Sequence, residues 1–274
     1  MWYSAAAAWF KRRWPGVRDW VLQPLFWLAL GYAASLGRSW LTNRPFKQIW
    51  QGIAQDQRTV PIVMGDVTFK EFPLPDYLQS KTARLPGNVS LVGVDDAMGV
   101  SLLREALVNR FGVIDAPLIF AGEADPFVTT SSFVSVGGAS VNRMTHRVLD
   151  LRKLDSKLKM IYPDHYAVDE KDNQPYRAEE QEGRVTSDYG FIIVGPSPFN
   201  PHKTVCVVFG IWPQGTRAAI QALVDPESSP KGKELVDRIK DNRRVVAIVR
   251  TEVTNLNQGP PQLVKVRDLE PPDK

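Results

Sequence analysis

The run Ser132-Phe-Val-Ser-Val-Gly-Gly-Ala-Ser-Val-Asn142 constrains the fold more than any other part of the chain. Phe133, Val134 and Val136 form a short aromatic and β-branched stretch that fits a buried strand. Gly137-Gly138 ends it where the backbone needs a positive φ or close approach by another group. Ser140 or Asn142 can then cap a helix whose buried side carries Met144, Val148 and Leu151. Strand, tight turn and helix in that order suit a layered α/β fold. Free N–H groups at such a helix start attract phosphates and carboxylates, which makes Gly137, Gly138 and Asn142 candidate ligand-binding residues. The competing account is a plain β–α connection.

A second unit of this kind lies downstream. Asp188 to Val194 and Lys203 to Phe209 read as paired strands, one hairpin-like return in an otherwise β–α chain. The later strand runs through Gly210 and Gly215 into a helix that Thr216 can cap. Arg217 in its first turn opposes the helix dipole, and an anionic ligand would offset it. Gly210, Gly215, Thr216 and Arg217 therefore join the candidate site. Upstream, a strand over 88–94 precedes a helix in which Leu102, Leu103, Ala106, Leu107 and Phe111 form the buried stripe and Gly112 the end. Asp95 serves there as a cap or as a ligand-binding carboxylate. Val60 to Val63, Pro117 to Phe120 and Val245 to Val249 read as strands, and 230–242 as a helix. Residues 164–187, polar and charged, read as a long flexible surface loop beside the pocket.

The N-terminal part has a different character. From Trp20 to Gly37 no residue is charged, a run close to the roughly 18–20 residues needed to cross a bilayer. Trp20 and Trp40 stand at its ends, with basic residues beyond both. It reads as a membrane-spanning anchor, with an in-plane segment, a buried helix or a cleaved signal as alternatives. Lys11, Arg12, Arg13 and Arg18 against Arg38, Arg44 and Lys47 favour a cytoplasmic N-terminus by a margin that leaves the side of the soluble domain open. The expected organisation is a basic and aromatic segment over 1–19, a transmembrane anchor over 20–37, a juxtamembrane helix within 38–58 and an α/β domain over 59–270.

Composition closes off some classes. With 43% hydrophobic and 23% charged residues a core is expected. The basic residues behind the net charge of +4 are spread among acids, so no nucleic-acid partner is expected. Cys206, the sole cysteine, sits in an apolar run and reads as a buried hydrophobe. His146, His165 and His202 form no spaced set, no metal site is expected, and no Walker loop, GxSxG elbow or HExxH motif points to a cofactor or a reaction.

The stretches Val136-Gly-Gly-Ala-Ser-Val-Asn142 and Val208-Phe-Gly-Ile-Trp-Pro-Gln-Gly-Thr-Arg-Ala-Ala219 resemble the GGPxxN … GxxxxGTxAA motif pair of poorly characterised prokaryotic domains, with similar pieces in archaeal surface-layer domains. The resemblance covers roughly residues 88–250, and Ala139 stands where the pattern has proline. It implies a Rossmann-like layered sheet with helices on both faces and both glycine turns at one sheet edge, where ligand crevices form in open α/β folds. It carries no settled activity. Three functions fit the residues. The first is a membrane-anchored module, single or self-associated, that binds or senses a small anionic, nucleotide-like ligand. The second is a hydrolase or transferase acting on a nucleotide or sugar derivative, with Asp95, Asp96, His146 or Glu123 as acid or base. The third is a structural or adhesive surface domain.

Overall fold

The computed structural model of the chain describes residues 43–54, 57–65, 67–68, 90–91, 93–150, 154, 156–161, 166–242, 244–255 and 257–269. The anchor expected over Trp20 to Gly37 and the segment before it lie outside them. Among the described residues no helix is long and apolar enough to cross a membrane.

The first described element, helix α1 (43–54), places Phe46, Ile49, Trp50 and Ile53 on one side, all without solvent exposure. Helix α1 belongs to the compact unit that runs from Pro45 to Lys274, and its buried side chains join the core.

The strands are β1 (Ile62–Met64), β4 (Leu118–Phe120), β5 (Phe133–Val136), β9 (Glu179–Gln181), β10 (Arg184–Pro196), β11 (Thr204–Gly210), β12 (Val245–Thr254), β13 (Asn257–Gln258) and β14 (Gln262–Asp268). Among the described residues these nine form one sheet in the order β13-β12-β10-β11-β5-β1-β4, with β14 also on β12 and β9 on β10. β4, β1, β5 and β11 are parallel neighbours, while β10, β12 and β14 pair antiparallel. The fold is therefore mixed α/β, and its antiparallel half is larger than the single hairpin-like return expected from the sequence. A short ribbon, β2 (Val67–Thr68) with β3 (Ser90–Leu91), forms a separate two-stranded sheet; of the strand expected over 88–94, Ser90–Leu91 is strand among the described residues and Val94 already begins the next helix.

Successive residues of each strand face opposite sides, which divides the core in two. Ile192, Val194, Cys206, Val208, Ala247 and Val249 meet α1, α2 (Val94–Ala106), α5 (Pro213–Val224) and α6 (Gly232–Asn242). Phe191, Ile193, Val205, Val207, Val246 and Ile248 face α3 (Asp125–Val128), α4 (Arg143–Asp150) and the antiparallel sheet β6 (Leu158–Ile161), β7 (Tyr166–Asp169) and β8 (Gln174–Arg177). The second sheet replaces much of the flexible loop expected over 164–187. Its inner residues Ala167, Asp169 and Tyr176 are buried, and Tyr176 meets Phe191 edge-on at 6.3 Å. Asp169 is wholly buried, where Arg267 and Lys265 of β14 bond it at 2.8 and 2.7 Å.

Helix α2 buries Gly99, Val100, Leu103 and Ala106, continues as a π turn over Leu107–Phe111 and ends at Gly112 with φ of 91°. Leu102, expected in the stripe, is 37% exposed beside Val94 and Met98. The reason is Gly99: a Cβ there would meet Ile220 Cδ1 at 2.7 Å, so the closest approach to α5 runs along the Gly99 side.

Candidate functional site

The carboxyl ends of β5 and β11 are adjacent in the sheet, so both glycine turns stand at one edge. After β5, Gly137 adopts a left-handed φ of 101° and donates its N–H to Val208 O at 2.9 Å, tying the turn to β11. Gly138 O accepts from the N–H groups of Val141 and Asn142. Asn142 is wholly buried. Its Oδ1 accepts from the N–H groups of Met144 and Thr145, at 2.9 and 3.3 Å, and so caps α4. Its Nδ2 donates to Val136 O, Ser135 Oγ and Val63 O, at 2.7, 3.2 and 3.3 Å. The side chain therefore joins β1, β5 and α4, and the helix start expected to receive an anion is filled by the chain itself.

The second turn is built by glycines. A Cβ on Gly190 would overlap Gly215 O, one on Gly215 would overlap Tyr189 O, and one on Gly210 would overlap Trp212 O and Thr216 N. Helix α5 thus sits with its first turn on the main chain of β10 and β11, in space a ligand would need. The helix starts at Pro213 with Trp212 as its flanking residue, so Thr216 lies inside it and is not its cap. Instead the wholly buried Asp188 of β10 accepts N–H bonds from Trp212 and Gly215, and from its neighbour Tyr189 at 2.7 Å. A carboxylate at this helix start is favourable, yet burial pushes the Asp188 carboxyl up to about 8 against the pull of those donors.

Helix α2 brings two more acids to the same place. Asp95 does not cap it, since Gly93 precedes the helix and no side chain closes its start. Asp95 pairs with Arg217 of α5 at 3.1 Å, a contact in which Arg217 keeps 29% and Asp95 15% side-chain exposure. The Thr216 hydroxyl favours the ionised form of Asp96, whose Oδ1 is buried with no partner. Burial pushes the Asp96 carboxyl up to about 6, and Asp95 adds to that rise.

Of the residues read from sequence, the fold gathers Asp95, Gly210, Gly215, Thr216 and Arg217 into one cluster, and puts Gly137, Gly138 and Asn142 on the neighbouring turn. The acid–base candidates are divided: His146 and Glu123 are exposed on elements of one sheet face, whereas Asp95 and Asp96 start a helix of the other. Cys206 is wholly buried and its thiol is pushed above the usual range by burial. Among the described residues no group of three or more His, Cys, Asp or Glu side chains could hold a metal ion. Asp188 was missed, although Asp188, Gly190, Ile192 and Val194 alternate onto one strand face, a pattern that marks an acid on a buried side.

One groove lies elsewhere. Pairing of β10 with β12 stops at Ser187 and Glu252, while both strands run on, β10 beside β9 and β12 beside β13. The gap between them, about 570 Å³, is lined by Arg184, Val185, Thr186, Val253 and Thr254 among others.

Comparison of the chain with protein families, curated proteins and solved structures finds no match.

Proposed function

We propose that the domain is a membrane-anchored binding module that takes a small anionic ligand at the edge formed by the starts of α2 and α5. The observation that carries this reading is the Arg217–Asp95 pair, a half-buried guanidinium at the carboxyl edge of the sheet that holds a carboxylate of the chain in the place of an external one. The ligand exchanges with Asp95 on Arg217. It is held by side chains and not by a main-chain phosphate cradle, because Asn142 and Asp188 occupy the N–H groups of α4 and α5. The anchor is Trp20 to Gly37, and the bilayer is its partner.

The test is a thermal-shift screen of the purified chain with nucleotides, dinucleotides and sugar phosphates. A ligand at 100 times its Kd adds about 2.7 kcal/mol of stability. The gain is expected to vanish in Arg217→Ala and to grow in Asp95→Ala, which removes the internal competitor. No shift with any anion, or a shift unchanged in Arg217→Ala, overturns the reading and leaves a structural or adhesive domain as the better account.

A further inference from the structure

Two hairpins frame the gap between the ends of β10 and β12. β9 and β10 are joined by Glu182 and Gly183, both with a left-handed φ, 53° and 71°, the two-residue turn that right-twisted strands favour. β12 turns into β13 after Thr254, with Asn255 at a φ of 51°. Continued, the register that pairs Ser187 with Glu252 would set Thr186 against Val253 and Val185 against Thr254, yet the ladder stops. The cause is a bulge. Thr186 is an extra residue in the pairing of β10 with β9, and its hydroxyl donates to Glu179 O at 3.1 Å, a device that bends the strand carrying it. Main-chain groups of successive strand residues point to opposite neighbours. On the second hairpin Gly259 N–H donates to Glu252 O at 2.8 Å, so Glu252 and Thr254 serve the β13 side and Val253 turns its N–H and C=O to the gap. On the first, Arg184 closes the turn against Gln181, which leaves Val185 facing the gap from the other wall. Val185, Thr186, Val253 and Thr254 are all β-branched, and neither lysine nor proline blunts the lining.

We propose that this gap is a slot for an extended, basic peptide segment of another protein, which lies between β10 and β12 and bonds to both. An open strand edge is matched best by another main chain, and here two edges face one space of about 570 Å³, within the range of specific ligand sites. Because β10 and β12 run antiparallel, the incoming strand is parallel to one wall and antiparallel to the other. Its alternate residues therefore serve opposite walls. Charge selects its side chains. Residues 179–187 and 250–258 carry four acids, Glu179, Glu180, Glu182 and Glu252, against Arg184 and Arg250. Arg250 is engaged by Glu179 and Glu252, at 3.3 and 3.0 Å, and Glu180 and Glu182 stay exposed, so the rim is acidic.

The slot shares no lining residue with the edge held by Arg217 and Asp95, and its test uses no anionic ligand, so failure of either reading leaves the other standing. Two pools of synthetic hexapeptides are passed over the immobilised chain, one with lysine and one with glutamate at every second position, the remaining positions mixed. The lysine pool is expected to be enriched, and its strongest member is then titrated by fluorescence anisotropy. Thr254→Arg puts bulk and positive charge on an exposed wall residue and is expected to weaken that member by about tenfold, with the circular dichroism unchanged. Should Thr254→Arg not fold, Glu182→Lys at the hairpin tip takes its place and is expected to weaken binding by about threefold. Methylating the main-chain nitrogens of alternate peptide residues separates the slot from a single open edge. Between two walls, either frame of methylation loses hydrogen bonds and weakens binding by about tenfold. At a single edge, one frame is harmless. Enrichment of neither pool, equal enrichment of both, a binder indifferent to the wall variant, or one harmless frame overturns the proposal.

Discussion

Replacing Asn142 by Ala separates a scaffold role from a ligand role for the first glycine turn. The native side chain caps α4 through two N–H groups and donates to Val136 O inside the sheet. Losing the cap costs about 1 kcal/mol. Leaving Val136 O and the α4 start without partners in a buried place adds about 1–3 kcal/mol. The small cavity adds to both, so a loss of about 3–4 kcal/mol is expected, or about 10 °C in Tm for a unit of this size. Urea denaturation of native and Asn142→Ala chains followed by far-UV circular dichroism gives the number directly. Asn142→Asp keeps the cap but loses the donor to Val136 O, and is expected to be destabilised as well. A change below about 1 kcal/mol in Asn142→Ala would refute the argument and return the residue to the candidate ligand site.

Gly215→Ala is expected to cost about 3 kcal/mol or to abolish folding, because the added methyl overlaps Tyr189 O; soluble yield and denaturation midpoint measure it. Asp169→Ala leaves Arg267 buried without its carboxylate and is expected to cost about 3–5 kcal/mol in the same assay. Burial alone would raise Asp169, but hydrogen bonds from Arg267 and Lys265 together outweigh it and hold the carboxyl below its usual range. The stability it contributes is thus present above pH 4 and lost as pH falls through its lowered folded value, which an acid titration of the native chain and of Asp169→Asn compares. Cys206 is expected to be silent to an aromatic disulfide reagent in the native chain and to react fully in urea; rapid native labelling would contradict its burial.

The parts legible in the sequence were those where side-chain pattern and local backbone agree. Phe133 to Val136 alternates across a buried strand, Gly137 takes the positive φ its position asked for, and the apolar runs of β10 and β11 pair in the expected sense. The parts that stayed hidden depend on partners distant in the chain. β8 carries mostly exposed residues and β7 alternates half-buried with buried ones, and the inward Asp169 only makes sense once β14 supplies Lys265 and Arg267. Asp188 looked like the polar margin of a strand because its donors, Trp212 and Gly215, arrive more than twenty residues later. Thr216 and Asp95 both have the chemistry of caps, and both are used instead across the α2–α5 contact. Even so, residue type and position alone put Asp95, Thr216 and Arg217 in one candidate set.

The seam made by Gly190, Gly210 and Gly215 has a mechanical meaning. A helix that rests on side chains can slide as they change rotamer, whereas one that rests on main chain has no such slack. Helix α5 is therefore a fixed reference, and Arg217 projects from a turn that does not shift. The neighbouring α2 exposes Val94, Met98 and Leu102 on its outer side. At this edge the arginine thus stands on the helix that main-chain contact fixes, and the carboxylate that pairs with it stands on a helix with an open outer side.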